Sequence, residues 1–349
     1  MIELIGLSLP ALSNVVTEGG FPKFRAKQIM DYIYQRHVFS MEEMVQLPKT
    51  MREWLVEHCT ITVPTVVRES TSSDGNTKKL LLRFGDGNQV ETVLMKQHYG
   101  NSVCLSSQVG CAMGCIFCAS TTEGLFRNLT VAEIVGQLLL FESIIKEEVH
   151  SIVVMGSGEP LQNFDNTMDA LRFIHEKESF NIGYRRMTVS TCGLVPNIYR
   201  FAELELPITL ALSLHATTDA TRKEIMPIGA TYPLQDVLDA VAEYYKRTER
   251  RITFEYILIQ DVNSSETEAH QLGTIVKEFP HCNVNLIPVN GNEHIHLYKP
   301  SMKAMQHFKS IVESYGVSVT IRKEMGDEIQ AACGQLKIQH QQSLKEGML

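Results

Sequence analysis

The chain has 349 residues, of which 44% are hydrophobic and 21% are charged. This is an ordinary globular composition, and the length allows one large domain with a smaller one. The formal net charge of −8 argues against a broad nucleic-acid-binding face, because phosphate backbones are bound by clustered Lys and Arg. No apolar run reaches the roughly 18 residues of a membrane span, so we expect a protein that does not associate with membranes. The start of the chain lacks the basic region of a signal peptide, so a cytoplasmic location with reduced cysteines is expected.

The N-terminal part of the chain predicts a helical unit followed by a hairpin. Helical periodicity covers 24–36 and 41–58, with Pro48 interrupting the second stretch. Strand patterns at 79–84 and 89–96 then flank the turn sequence G-D-G-N. We therefore predict a helical accessory, RNA-binding domain over 1–75 and a β-hairpin linker over 76–100.

The rest of the chain alternates between strand and helix patterns. Strands are predicted at 102–106, 151–155, 187–191, 208–214, 252–259 and 284–289, and helices at 131–145, 166–175, 195–204, 234–247, 266–279 and 303–315. This alternation is typical of βαβ units around a parallel sheet. The fold class is therefore α/β, and six units favour a partial (β/α)6 barrel as the core domain over 101–349. A final run at 317–322 leads into the C-terminal segment.

Three cysteines stand close together in the loop after the first of these strands. Cys111, Cys115 and Cys118 have the spacing C-x3-C-x2-C, and Phe117 precedes the last of them. A [4Fe–4S] cluster is fully ligated by four cysteines, so three leave one iron open. The open iron can chelate the amino and carboxylate groups of S-adenosylmethionine (SAM), and an electron from the cluster can then cleave SAM to a 5′-deoxyadenosyl radical. The motif resembles the radical SAM signature; a zinc site with Cys104 as fourth ligand is the alternative.

Further polar residues follow the ends of the predicted strands, where parallel α/β folds carry their sites. They are Gly158 and Glu159 after the second strand, Ser190 at the third, Ser213 and His215 at the fourth, and Asn290 after the sixth. We predict that this set binds SAM. Taken singly, each is as well explained as a hydrogen-bonded residue of a strand end or turn.

Longer motifs identify a narrower group. They include F-R-A-K-Q at 24–28, V-E-T-V at 90–93, C-L-S-S-Q-V-G-C at 104–111, R-N-L-T at 127–130, G-E-P-L at 158–161, L-S-L-H-A at 212–216, N-L-I-P at 285–288 and A-A-C-G-Q-L at 331–336. Together they resemble the RlmN/Cfr family of radical SAM RNA adenosine methyltransferases over nearly the whole chain. The most specific part is Cys333 in the C-terminal motif combined with Cys104 seven residues before the cysteine cluster.

The resemblance implies a mechanism with two SAM molecules per turnover. Cys333 accepts a methyl group from the first SAM and becomes S-methylcysteine. The radical from the second SAM abstracts hydrogen from that methyl group, and the methylene radical adds to the adenine ring. Glu91, otherwise an exposed strand carboxylate, is the position that accepts the ring proton. Cys104 then forms a transient disulfide with Cys333 and releases the methylated RNA.

The same resemblance implies the substrates. RlmN-like members are expected to methylate carbon 2 of an adenosine in the peptidyl-transferase region of 23S rRNA, and of the tRNA adenosine 3′ to the anticodon. Cfr-like members modify carbon 8, and Pro160 favours the carbon-2 branch. A flavodoxin-type electron donor and a monomeric enzyme are expected. Ser157, Cys192 and the segment 291–294 depart from the family pattern, the first two near the SAM pocket.

Two other classes of function stay open at this point. One is a non-enzymatic zinc or iron–sulfur module, which the metal and sulfide content would distinguish. The other is radical SAM chemistry on a protein or a small molecule, which identification of the product would distinguish.

Overall fold

The structure is a computed structural model that describes residues 1–290, 297–322 and 329. The loop departure predicted at 291–294 and the C-terminal motif with Cys333 lie outside the described residues. The architecture below therefore concerns the accessory part and the sheet with its helices.

The N-terminal part is a small helical unit. It contains β1 (Ile2–Glu3), α1 (Leu9–Glu18), α2 (Arg25–Met30) with a π-helical continuation (Asp31–Gln35), a 3-10 turn (Met41–Glu43), α3 (Lys49–His58) and β2 (Cys59–Thr60), which pairs with β1. The predicted helices are confirmed, and Pro48 interrupts the second as the residue before α3. Helix α1, which contains Pro10, was not predicted. The structure places this proline in the first turn, where its missing N–H has no intrahelical partner to lose.

One ten-stranded sheet forms the centre of the molecule. Its strands are β3 (Thr65–Thr71), β4 (Thr77–Arg83), β5 (Gln89–Gln97), β6 (Gly100–Leu105), β9 (Val149–Val154), β10 (Met187–Thr191), β11 (Thr209–Ser213), β12 (Ile252–Leu258), β13 (Asn283–Pro288) and β14 (Ser318–Ile321), while β7 (Gln108–Gly110) and β8 (Leu125–Asn128) pair separately. From β6 through β9 to β14 all neighbours are parallel. The six predicted core strands are confirmed, and the run at 317–322 adds the seventh parallel strand, β14.

The predicted hairpin is confirmed as β4 and β5, but it is part of the main sheet rather than a separate element. Strand β5 pairs antiparallel with β6, and β3, which was not predicted, adds a further strand beyond β4. Leu80, Leu82 and Leu94 of this hairpin are buried in the same core as the parallel strands. The boundaries at 75 and 100 stay predictions.

Helices cover the sheet and connect its strands. They are α4 (Val131–Ile145), α5 (Phe164–His175), α6 (Val195–Glu203), α7 (Asp219–Ile225), α8 (Leu234–Thr248), α9 (Glu266–Val276) and α10 (Met302–Glu313). All except α7 were predicted. In the described part of the chain, no helix has both the length and the apolar character needed to cross a bilayer.

The two faces of the parallel sheet have different surroundings. Along β6, Val103 and Leu105 belong to the large apolar core, whereas Cys104 between them belongs to a small separate cluster with Val93. Successive strand residues point to opposite faces, so one face packs in the large core and the other carries Cys104.

A pair of glycine substitutions tests the helix packing at one edge of the sheet. A Cβ on Gly273 in α9 would lie 2.3 Å from the ring of Tyr315, whereas one on Gly183 would meet nothing within 4 Å. Overlap this severe costs about 3 kcal/mol, which exceeds the gain of about 1 kcal/mol in helix propensity. We expect Gly273→Ala to lower the urea midpoint, with a loss of about 2 kcal/mol by that difference. Gly183→Ala should leave it unchanged, and equal midpoints would contradict the packing described here.

Candidate active site

The cysteine loop is closed at its base by the strand pair β7 and β8. Gly110, at the end of β7, has a φ of +74°, and a Cβ there would lie 2.0 Å from the carbonyl oxygen of Gly124. In β8, Arg127 donates to Asp86 at 2.6 Å and to Glu133 at 2.8 Å. These ion pairs tie the loop to the hairpin turn and to the first turn of α4, so its ends are fixed on two elements.

The three motif cysteines line one cavity. Burial raises the pKa of Cys111 to about 12 and that of Cys115 further still. Thiolates in such surroundings need a cation, and a bound metal centre supplies one. Within the described residues, no three His, Cys, Asp or Glu side chains are grouped as the ligands of one metal ion. A structural zinc site is usually closed by four N or S ligands, whereas three cysteines at one cavity fit a cluster that keeps one iron open.

The structure brings most of the predicted SAM residues to the same cavity. Gly158, Glu159, Ser190, Ser213 and His215 line it, together with Pro160 and Cys192. Asn290 lies beyond the end of β13 and is not among the described residues that line the cavity. The gathering of strand ends is as predicted, and the role of each residue in binding stays a prediction.

Gly158 and Glu159 also have structural roles that were not predicted from the sequence. Gly158 has a φ of +103°, and a Cβ there would lie 2.5 Å from Cβ of Gln108. The glycine is therefore required where the loop packs on another strand of the protein. The Glu159 carboxylate accepts from the backbone N–H of Leu161 at 3.0 Å and of Cys192 at 2.8 Å, which joins the loops after β9 and β10.

His215 is held as a neutral hydrogen-bond donor. The backbone N–H of Ile257 donates to its Nδ1 at 3.0 Å, and its ring stands edge-on to Phe117 with centroids 4.8 Å apart. Burial, and secondly the charge of Arg222, lower the pKa of His215 to about 3. In the neutral ring Nδ1 is the acceptor, so the proton is on Nε2. The ring can therefore donate one hydrogen bond to a ligand in the cavity.

Cys104 and Glu91 lie on the same side of the sheet. Val93 of β5 is the register partner of both Lys79 of β4 and Cys104 of β6. Glu91 precedes Val93 by two residues, so its side chain is on the same face. The small cluster around Cys104 includes Met155, which also lines the large cavity. Cys104 is thus adjacent to the cysteine-lined cavity.

Glu91 is buried, contrary to the alternative interpretation of it as an exposed strand carboxylate. It is 5% exposed, and its Oε1 lies 2.9 Å from Nζ of the equally buried Lys79. It also lines a second, smaller cavity, together with Ser157 and the exposed ring of Phe126. Sequence reasoning missed Lys79, although a lysine inside an apolar strand was a usable signal.

Two more charged residues near the large cavity were missed. Glu255 lines it from β12, where its carboxylate accepts from Asn285 at 2.9 Å and lies 3.7 Å from Arg322. A single acid within the apolar run of β12 could have indicated it. Arg222 lies on α7, and because that helix was not predicted, no pattern placed this side chain near the cysteines.

Comparison with known proteins agrees with this geometry. Residues 105–272 match the radical SAM superfamily, and residues 2–61 match the ribosomal RNA large subunit methyltransferase N-terminal domain. The solved structure of a radical SAM methyltransferase from Sphaerobacter thermophilus superposes with a TM-score of 0.92 at 40% identity, over 97% of this chain and 99% of that one. The fold and the cysteine-lined cavity thus define a radical SAM enzyme.

Two proteins of similar sequence show which family of radical SAM enzymes this chain belongs to. A protein of Clostridium perfringens described as a probable dual-specificity RNA methyltransferase RlmN is 46% identical, with 97% of each chain covered. One of the same description from Symbiobacterium thermophilum is also 46% identical, over 96% of this chain and 91% of that one. The chain belongs to the RlmN family of radical SAM RNA methyltransferases. The family implies a [4Fe–4S] cluster and SAM.

The protonation state assigned to His215 gives a test of SAM binding. Asn tolerates the φ of +58° at this position, and its side-chain oxygen can still accept from Ile257. It lacks the Nε2–H donor, so we expect His215→Asn to keep the thermal midpoint and to weaken SAM binding about tenfold, which is one hydrogen bond. Equilibrium dialysis of the iron-loaded protein measures this.

Equilibrium dialysis of SAM can also be repeated from pH 5.5 to 8. A pKa of about 3 keeps the His215 ring neutral throughout this range, so titration of His215 should produce no step in the SAM affinity of the wild type. A wild-type step near pH 6.5 that the Asn variant lacks would contradict the assignment.

Proposed function

We propose that this enzyme methylates carbon 2 of adenosine, in the peptidyl-transferase region of 23S rRNA and in tRNA 3′ to the anticodon. It does so through S-methylcysteine at Cys333 and consumes two SAM molecules per turnover. Cys111, Cys115 and Cys118 would hold the [4Fe–4S] cluster, a flavodoxin-type protein supplies electrons, and the enzyme works as a monomer.

One observation carries the proposal: Glu91 and Cys104 share the face of the sheet that borders the cysteine-lined cavity. A radical enzyme that modified its substrate directly would need neither a second cysteine nor a buried carboxylate there. Their proximity supports a reaction in which the base is joined to the protein and then released.

Bound together, the cluster and SAM supply the radical that activates the methyl group, and the rest of the chemistry falls to the chain's own side chains. Cys333 receives the methyl group as a thiolate nucleophile. After the methylene radical has added to the adenine ring, the adduct must lose one electron, for which the oxidised cluster would be the acceptor, and Glu91 takes the ring proton. The sulfur of Cys104 then bonds to that of Cys333. The carbon–sulfur bond breaks, its electron pair stays with the carbon, and that carbon takes up one proton to become the methyl group.

Lys79 has a positioning role in this scheme. Its ammonium lies 2.9 Å from Glu91 Oε1 in a buried ion pair, and an adjacent cation favours the ionised carboxylate that a proton acceptor needs. The target adenine is proposed to enter the second cavity, which Glu91 lines. The exposed ring of Phe126 at the same cavity offers a stacking surface of the kind that unstacked RNA bases use.

Carbon 2 is preferred to carbon 8 because Pro160 matches the carbon-2 branch, and Pro160 lines the large cavity. A structural zinc site is the weaker candidate, since such a site usually takes four N or S ligands and the motif supplies three cysteines.

Single variants separate the steps of the reaction. With radiolabelled SAM, Cys333→Ala should lose methyl transfer to the protein. Glu91→Gln and Cys104→Ala should keep it and accumulate a protein–RNA adduct, because release needs the ring proton removed and the disulfide formed. Cys282→Ala is the matched control, since its thiol bonds to the carbonyl of Val276 away from the cavity.

Electrophoresis under denaturing conditions detects the adduct, and mass spectrometry against 2-methyl- and 8-methyladenosine standards identifies the product. Methylated adenosine from Cys333→Ala would refute the mechanism. 8-Methyladenosine from the wild type would refute the position, and labelled 23S rRNA without labelled tRNA would refute dual specificity.

The accessory domain is proposed to contact RNA. Lys23, Phe24 and Lys27 are exposed at the start of α2, whereas Arg25 donates to Gln28 and to the carbonyl of Gln46. The two lysines are therefore the cations that are most available for phosphates.

Replacing both lysines with Gln should reduce the slope of log affinity against log salt by about 1 to 2, because each phosphate that a lysine neutralises adds about one unit to that slope. Lys303→Gln with Lys309→Gln, on α10, is the control pair. An unchanged slope in the first pair would remove the accessory domain from the RNA interface.

A further inference from the structure

Arg222 is a cation with no exposed surface and no carboxylate within ion-pair distance among the described residues. Its Nη2 donates to the carbonyl of Cys192 at 2.5 Å and its Nη1 to that of Tyr232 at 3.4 Å. Its Nε is buried without a hydrogen-bond partner. Backbone carbonyls satisfy part of the guanidinium but do not neutralise it.

A charge buried in this way requires a counter-charge, because the desolvation cost of a lone buried ion is several kcal/mol. Asp219, on the same helix, accepts instead from the backbone N–H of Leu234 at 2.6 Å. Burial lowers the pKa of Arg222, but a guanidinium stays protonated in proteins, so the charge needs a negative group close by. The residue lies next to Cys192, whose carbonyl accepts from it.

The position of α7 explains this proximity. The carbonyl of Ile225, at the end of α7, accepts from the backbone N–H of Ile116 within the cysteine motif at 3.1 Å. Met226, the next residue, lines the cavity, and Cys192 lines it as well. Arg222 therefore lies behind the cavity wall. Hydrogen bonds connect this side chain to the backbone at Cys192, and the end of its helix to the backbone next to Cys115.

We propose that Arg222 is the fixed counter-cation of the iron–sulfur cluster and sets its reduction potential. The proposal rests on the three-cysteine ligation given under the proposed function, but not on the position methylated. Thiolate ligands give the cluster a net negative charge, and reduction adds one electron from an external one-electron donor. A buried cation stabilises the reduced form more than the oxidised form, so it raises the midpoint potential. Arg222 neither gains nor loses a proton.

The test combines a redox titration of the loaded protein with urea unfolding of the apo-protein. Arg222→Met removes the charge and keeps the bulk, Arg222→Lys keeps the charge, and Arg200→Met is the control, an exposed arginine paired with Asp165 on the surface. Dithionite titration followed by EPR should show a more negative midpoint for Arg222→Met. Arg222→Lys should stay close to the wild type, and the control should be unchanged. Iron should also be lost faster to a chelator from Arg222→Met.

Apo-protein stability separates an electrostatic role from a structural one. Without the cluster, Arg222 has no counter-charge, so Arg222→Met apo-protein should unfold at the same urea concentration as wild-type apo-protein or a higher one. With that stability retained, either a lowered potential or a failure to retain iron supports the proposal.

An apo-protein that is clearly destabilised or unfolded would overturn it, since the residue would then act through its bonds to Cys192 and Tyr232. A stable variant with unchanged potential and iron retention would overturn it as well. If wild-type protein instead bound zinc without iron or sulfide, the proposed function itself would fail, which is a distinguishable result.

Discussion

Burial of ionisable groups around one cavity is the constraint on which the active site depends. Burial raises the pKa of Cys111 to about 12, lowers that of His215 to about 3 and raises that of Glu159. Each shift favours the uncharged form of its group. The cavity wall by itself thus favours neutrality, and a cluster bound by thiolates introduces negative charge into it. Arg222 is charged and buried behind the wall. The negative charge of such a cluster would offset the free-energy cost of burying the Arg222 guanidinium.

Side chains alternate along β6, so the two faces of the sheet have different surroundings and different roles. Val103 and Leu105 stabilise the large core, and Cys104 between them belongs to the cluster that reaches the cavity through Met155. A shift of register by one residue would exchange these faces. The extensive core on one face therefore also fixes where Cys104 lies on the other.

The sequence predicted the parts of the fold that follow from periodicity and short motifs. All six core strands and the gathering of Ser190, Ser213 and His215 follow from regular βαβ units, because parallel strands end at one edge. Helix α1 was not predicted, and its Pro10 in the first turn looks the same in sequence as a proline that breaks a helix. Lys79 and Arg222 were missed because their partners are fixed by sheet register and by α7, and neither can be read from local sequence. The roles of the predicted site residues stay predictions, and Cys333 lies outside the described residues.

The antiparallel strands are more than an attachment between an accessory domain and a barrel. Had the hairpin been a linker, Glu91 would have no fixed relation to Cys104. By pairing with β6, strand β5 places Val93 opposite Cys104 and carries Glu91 to the same face, while β4 supplies Lys79 to its carboxylate. Arg127 then binds both the turn of this hairpin and α4 at the base of the cysteine loop. The hairpin thus links the buried pair of Glu91 and Lys79 to the cysteine-lined cavity through one continuous sheet. A parallel sheet that ended at β6 would retain the cysteine-lined cavity but would have no place for the proposed proton acceptor.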